Sequence, residues 1–494
     1  MAVRLCCCCF LLFVTIAAAG GSLTRTNVAT LPGFDGALPS RLETGYVTVD
    51  EENGAELFYY FIESEGDPST DPVLLWITGG DRCSVLSALF FEIGPLKLVI
   101  EPYNGSLPRL HYHPYSWTKV ASILFVDSPV GAGFSFSRDP KGYDVGDVSA
   151  SMQLIKLLRE WFTEHPHYLS NPFYVGGDSY AGKIVPFIVQ KISEDIEAGV
   201  RATFNLKMIM EHCEGEDYDN PSNVICQQAL ARFDSLLHEG SRAQILNPNC
   251  IYVSPKPNHE TIDRKILMEE HGGLKHPPPQ PSIKCGVYAN YLSYFWANNN
   301  FTRRTLGIKK GTINEWVRCH EYDLPYNIDI RSSIKYHRNV TLKGYRALVY
   351  SGDHDAVVPF LGTQAWVRSF NYPIVDDWRA WHIDGQSAGV LDTLHQSLSR
   401  RGALQCLSVG FPAYHYDDGC AYRLGATLTA ATVTTMRGEQ KEARSGGAAL
   451  GSVISTGYLI GNPPLTGEGI VYASKVPYCH GVGINSDQLY EVST

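Results

Sequence analysis

The stretch Phe173-Tyr-Val-Gly-Gly-Asp-Ser-Tyr-Ala-Gly182 decides the fold. A short apolar strand, Phe173-Tyr-Val175, passes through paired glycines to Ser179 and then into an apolar helix from Ile184 to Ile192. A serine at such a strand-to-helix turn is lifted above the end of a sheet, where its hydroxyl meets substrate. The turn is tight, so small neighbours are needed, and Gly177, Ala181 and Gly182 supply them.

Working outward, the apolar runs Pro72–Thr78, ending at Gly79-Gly80, and Ala121–Asp127, ending at Ser128-Pro129, read as buried parallel strands. Arg346–Tyr350 reads the same way and leads into Ser351-Gly-Asp-His-Asp355. Residues 147–164 carry a helical period, with Met152, Leu154, Ile155, Leu158 and Trp161 assigned to one face. Alternation from Tyr46 to Ile62 around Asn53-Gly54 predicts a hairpin. Strands alternating with helices imply an α/β fold with a mixed, mostly parallel central sheet and chemistry at the carboxyl ends of its strands. Between about residues 208 and 335 proline, asparagine, cysteine and charge rise, which reads as an inserted cap.

A serine hydroxyl becomes a good nucleophile only when a histidine takes its proton, and a carboxylate fixes that histidine's tautomer. In this fold the chain order is serine, acid, histidine. Asp355, just past a buried strand, is the candidate acid; Asp353 competes, its bland role being to cap the turn. His382, His395, His415 and His480 all follow, and His415, sixty residues beyond Asp355, has the most suitable spacing.

The 494 residues include 51 acidic and 41 basic side chains, and 44% of them are apolar, which suits a large buried core and excludes a disordered chain. A net charge of −10 argues against a nucleic-acid partner. Arg4, the apolar run Leu5–Ala19 and the small residues up to Gly20 read as a signal peptide over residues 1–20, too short for the ~20 residues of a spanning helix. The expectation is entry into the secretory pathway, extracellular or vacuolar, with no membrane attachment after cleavage. Cys6 to Cys9 leave with the signal; nine cysteines remain, and with no Cys-x-x-Cys pair they read as bridges and not as metal ligands. Asn104, Asn300 and Asn339 head glycosylation sequons. No metal or cofactor is called for, the expected substrate is a small molecule or peptide, and the sequence gives no oligomeric state. Residues 391–456 read as a divergent, poorly ordered segment, rich in alanine, threonine, glycine and serine over 424–456.

Trp76-Ile-Thr-Gly-Gly80, Leu89-Phe-Phe-Glu-Ile-Gly-Pro95, Phe125-Val-Asp-Ser-Pro-Val-Gly-Ala-Gly-Phe134, Gly177-Asp-Ser-Tyr-Ala-Gly182 and Ser351-Gly-Asp-His-Asp355 stand in order along the chain. Together they resemble the serine carboxypeptidase-like family of α/β-hydrolases, over about residues 31–390 and again over 457–492. The resemblance implies an α/β-hydrolase domain over residues 21–390 with the cap inside it, Ser179 as nucleophile and Asp355 as acid. It also implies an oxyanion hole made by the amides of Gly80 and Tyr180, and a substrate site at Thr78, Gly79, Glu92 and Asp178. The implied bridges are Cys83 with Cys319, Cys213 with Cys226, and Cys250 with Cys285.

The family divides into peptidases that remove C-terminal amino acids and plant acyltransferases that use glucose esters; both pass through an acyl-serine. In the peptidase pattern an asparagine precedes the paired glycines and a glutamate precedes the nucleophile, whereas Thr78 and Asp178 stand here. Three further departures matter. Asp81-Arg82 replaces Pro-Gly, which predicts disturbed oxyanion amides. The stretch Gly457-Tyr-Leu-Ile-Gly-Asn-Pro463 belongs, in the family, directly after Lys207, so residues 457–494 read as a displaced piece of core. The family's histidine loop has no counterpart. The reading is a serine carboxypeptidase or carboxypeptidase-like acyl-serine enzyme. Its alternatives are a glucose-ester acyltransferase, a catalytically impaired glycoprotein, or a misassembled gene product.

Overall fold

The computed structural model describes residues 23–196 apart from 81, residues 280–395 with a few short gaps, and the strand segments 240–241, 244–248, 403–409 and 455–461. Eleven strands form one sheet: β1 (Leu23–Val28), β2 (Leu42–Asp50), β3 (Ala55–Ile62), β4 (Val73–Ile77), β5 (Ser122–Val126), β6 (Phe173–Asp178), β7 (Arg346–Gly352), β8 (Ile374–Ile383), β9 (Gln386–His395), β10 (Ala403–Val409) and β11 (Ser455–Gly461). Their order across the sheet is β1-β2-β3-β5-β4-β6-β11-β7-β10-β9-β8. The middle, from β5 to β10, is parallel; β1 to β3 on one side and β9 and β8 on the other run as antiparallel flanks.

Local chemistry explains these elements. Val73-Leu-Leu-Trp-Ile77 is buried throughout because a parallel strand is covered on both faces. Along β3, Leu57, Tyr59 and Phe61 enter one core while Phe58, Tyr60 and Ile62 enter the other, the two-residue period of a pleated strand. The β2–β3 hairpin closes through Gly54 at φ +62°, as the Asn-Gly pair requires. Helix α1 (Asp147–Glu164) presses Leu154, Leu158 and Trp161 onto the sheet together with α2 (Ala181–Ile196). Met152 is 43% exposed, contrary to its assignment to the inward face. Residues two apart on a helix lie about 200° apart, so Met152 and Leu154 do not share a face.

The cap expected over 208–335 is described chiefly from residue 280 onward. There α3 (Tyr288–Asn298) sends Tyr288, Leu292 and Trp296 into the same core as Tyr46, Phe58 and Trp76 of the sheet, joined by Trp316. This part of the cap is therefore packed on the sheet itself. Within the stretch 391–456, for which the sequence suggests little order, residues 403–409 form β10, paired in parallel with β7 from Ala347↔Leu404 to Gly352↔Val409. The C-terminal stretch supplies β11 to the middle of the sheet, between β6 and β7. Residues 1–22, which include the expected signal segment, and residues 424–454 lie outside the described residues.

Candidate active site

Strand β6 ends at Asp178 and α2 begins at Ala181, leaving Ser179 and Tyr180 to make the whole turn. Ser179 has φ +51°, a left-handed conformation unusual for a side chain other than glycine. The turn is locked by Gly182 N–H donating to Ser179 O and Lys183 N–H donating to Tyr180 O, both 3.0 Å. Neighbouring glycines are needed for space: a Cβ on Gly177 would lie 2.6 Å from Ile77 O and 2.7 Å from Ala181 Cβ. On Gly79 it would lie 2.5 Å from Ser179 Cβ, so the loop after β4 runs directly against the serine. Gly80 has φ +75°, and a Cβ there would overlap Cys83 Sγ.

Asp355 lies at the same carboxyl end of the sheet. The register pairs Asp178 with Gly461 and Gly461 with Tyr350, so β6 and β11 end level and β7 runs two residues further, to Gly352. β6 and β7 are two strand spacings apart, roughly 10 Å. Asp355, three residues past the end of β7, accepts hydrogen bonds through Oδ1 from Val357 N–H (2.7 Å) and Val358 N–H (3.0 Å). These donors fix the orientation of the carboxyl group. Asp353 and His415 lie outside the described residues, as does His480; His382 and His395 lie in β8 and β9 on the antiparallel flank.

Asp178 Oδ1 accepts from Gly79 N–H at 3.1 Å, and Thr78 also hydrogen-bonds the carboxyl. Asp178 and Glu92 stay partly accessible, yet the surrounding protein removes enough water to raise both: Asp178 to about 6, and Glu92 well above its ordinary value, with repulsion from Asp178 adding to the effect of burial. Two side chains that sequence reasoning missed join them. Arg318 opposes the rise at both carboxyls by its positive charge, and Tyr350 on β7 has its phenol pushed well up, by burial first and then by Asp178 and Glu92. Arg318 precedes Cys319, so the implied bridge to Cys83 was the available signal for it.

That bridge is present: Cys83 and Cys319 are disulfide-bonded, and Ser84 N–H donates to Arg318 O at 2.7 Å. Cys285 is also in a disulfide, while Cys213, Cys226 and Cys250 lie outside the described residues. Asp127, fully buried, holds the same loop by accepting from Ser84 Oγ (2.8 Å), Val85 N–H (2.8 Å) and Phe134 N–H (2.9 Å). Burial pushes its carboxyl up to about 6 against those hydrogen bonds. Asn104, Asn300 and Asn339 are all exposed. Among the described residues no group of histidine, cysteine and carboxylate side chains could hold a metal ion, and no helix is long and apolar enough to cross a membrane.

A mostly parallel sheet with a strained serine at the end of a central strand defines an α/β-hydrolase. The chain belongs to the serine carboxypeptidase family, whose model matches residues 32–211 and 206–409. It is 40% identical to serine carboxypeptidase-like 19 of Arabidopsis thaliana over 405 residues, covering 74% of this chain and 86% of that protein. It is 41% identical to serine carboxypeptidase-like 3 of the same plant over 404 residues, covering 74% and 85%. Among solved structures, Kex1(delta)p, a prohormone-processing carboxypeptidase from Saccharomyces cerevisiae, matches with a TM-score of 0.54 at 15% identity, over 84% of this chain and 96% of that one. That likeness is one of fold. By family the chain is a serine carboxypeptidase-like enzyme.

Proposed function

We propose that the protein is a carboxypeptidase that attacks its substrate through Ser179, with Asp355 as the acid of the triad and His415 as the base. The observation that carries this reading is the left-handed turn at Ser179, pressed against Gly79 and level with the strand that leads to Asp355. His415 is six residues beyond the end of β10, which neighbours β7 and ends beside Gly352. Six residues reach at most about 20 Å, enough to meet a site at that edge of the sheet. The amides of Gly80 and Tyr180 would receive the charge that develops on the substrate oxygen, a contribution of about 3 kcal/mol for each donor.

Thr78, Gly79, Glu92 and Asp178 would take the carboxylate of a peptide C-terminus. A carboxyl that keeps its proton donates a hydrogen bond to that carboxylate, and the raised values of Glu92 and Asp178 keep protons there in mild acid. Thr78 and Asp178, in place of asparagine and glutamate, favour the second reading, transfer of an acyl group from a glucose ester. Release of C-terminal amino acids from blocked dipeptides, lost in Ser179→Ala, would establish the first. Acyl transfer from a glucose ester with no amino-acid release would replace it with the second. Passage through the secretory pathway, removal of residues 1–20 and glycans on Asn104, Asn300 and Asn339 belong to the same proposal, supported by the exposure of all three asparagines.

A further inference from the structure

We propose that Arg82 and Asp147 are positioning residues that fasten the two sides of the oxyanion pocket to a single strap, residues 325–330. The inference rests on the acyl-serine reading of Ser179. Asp81-Arg82 stands where the family has Pro-Gly, and the charge was expected to disturb the adjacent amides. Instead the Arg82 side chain folds inward and is fully buried. Its Nη1 donates to Val130 O (3.2 Å), and its Nη2 donates to Tyr143 O (2.6 Å) and to Pro325 O. The guanidinium also lies over the Tyr326 ring, 6.0 Å from its centre. A planar fork of five N–H donors spans several carbonyls at once, which an ammonium on a flexible stem does not reproduce. Gly131 leaves the room: a Cβ there would lie 2.9 Å from Arg82 Nη1.

The other side is held by Asp147, the fully buried first residue of α1. Its Oδ1 accepts from Tyr180 Oη (2.7 Å) and Tyr326 Oη (3.0 Å), and its Oδ2 from Ile330 N–H (2.9 Å). The strap is anchored along its length: Tyr326 and Asn327 pair in parallel with Val145 and Gly146, and Asp329 Oδ1 accepts from Val148 N–H at 3.0 Å. Gly80, two residues before Arg82, and Tyr180, bonded to Asp147, are thus tied through Pro325 and Tyr326 to neighbouring points of one strap. Oxyanion donors accelerate a reaction only when they are aimed before charge develops, and small displacements are costly. Arg82 and Asp147 set that aim without touching the reacting atoms.

The test uses the purified full chain and two probes, a fluorophosphonate label and p-nitrophenyl acetate, with every rate normalised to titrated active sites. Tyr326→Phe removes one oxygen, and Arg82→Lys keeps the charge but loses the fork. Each is expected to lower kcat and the labelling rate about tenfold, with KM within about twofold of the parent, because the loss falls on the transition state. A purely structural role would lower the number of active sites or the melting temperature while leaving kcat per site unchanged, and that result overturns the proposal. If Arg82→Lys does not fold, Tyr326→Phe alone decides. A parent protein that folds but takes no label overturns the acyl-serine reading and the strap with it; a labelled parent with unaffected variants overturns the strap alone.

Discussion

The two halves of the sheet are built by different logic. On one side β2 and β3 form a hairpin and β4, β5 and β6 follow one another along the chain within a compact block ending with α2. On the other side β7 is flanked by β10 and by β11, the last described strand of the chain. The first half builds the turn at Ser179 from backbone chemistry: the left-handed serine is set by Gly177 beside it and by the close approach of Gly79. The second half puts Asp355 in place only if a strand from far down the chain enters between β6 and β7. A sheet requires register and proximity, not covalent order, and such distant pairing slows folding.

The largest effect is expected from removing residues 455–494. Without β11, β6 and β7 lose their shared neighbour and expose unpaired edges in the middle of the sheet. The expected outcome is loss of soluble, cooperatively unfolding protein, read by circular dichroism and gel filtration. A truncated chain that melts like the parent would show that the C-terminal strand is dispensable. Asp355→Asn, which keeps the side-chain shape, tests the proposed acid; kcat should fall by about 10⁴, the cost of a misassigned histidine tautomer.

A smaller effect separates the carboxyl pair from the nucleophile. Asp178 titrates near 6, above its ordinary value, so its proton is held below that pH and lost as pH rises through it. Activity on substrates with a free carboxylate should therefore decline above about pH 6, and Asp178→Asn, which does not ionise, should move that decline upward. The same sign holds for stability: the raised carboxyl favours the fold fully below its unfolded value and loses that contribution as pH rises through 6. An unchanged pH profile in Asp178→Asn would remove the carboxyl from substrate recognition. The smallest effect belongs to the connection itself. Ten glycine and serine residues inserted after Glu439 should change activity less than about twofold, because closing a longer loop adds well under 1 kcal/mol.

Much of this architecture is legible in the sequence because its signals are local. The glycines around Ser179, the Asn53-Gly54 hairpin and the helix over 147–164 each follow from backbone chemistry within a few residues. The β8–β9 hairpin carries the same kind of signal: Asp384-Gly385 lies between Ile383 and Gln386, which pair with each other. The partners of Arg82 are not legible in the sequence, for a physical reason. A charge beside an active-site loop suggests disruption, and only the carbonyls of Val130, Tyr143 and Pro325, brought from separate parts of the chain, turn it into an anchor. Arg318 and Tyr350 escaped for the same reason, since their nearness to Glu92 and Asp178 is made by the disulfide and by strand register. 

With β11 seated between β6 and β7, Ser179 is expected to be a reactive serine. The most direct measurement is peptide mapping by mass spectrometry of the full, folded chain after treatment with a fluorophosphonate. One adduct is expected, on Ser179. A folded, monodisperse protein with Ser179 unmodified would contradict it.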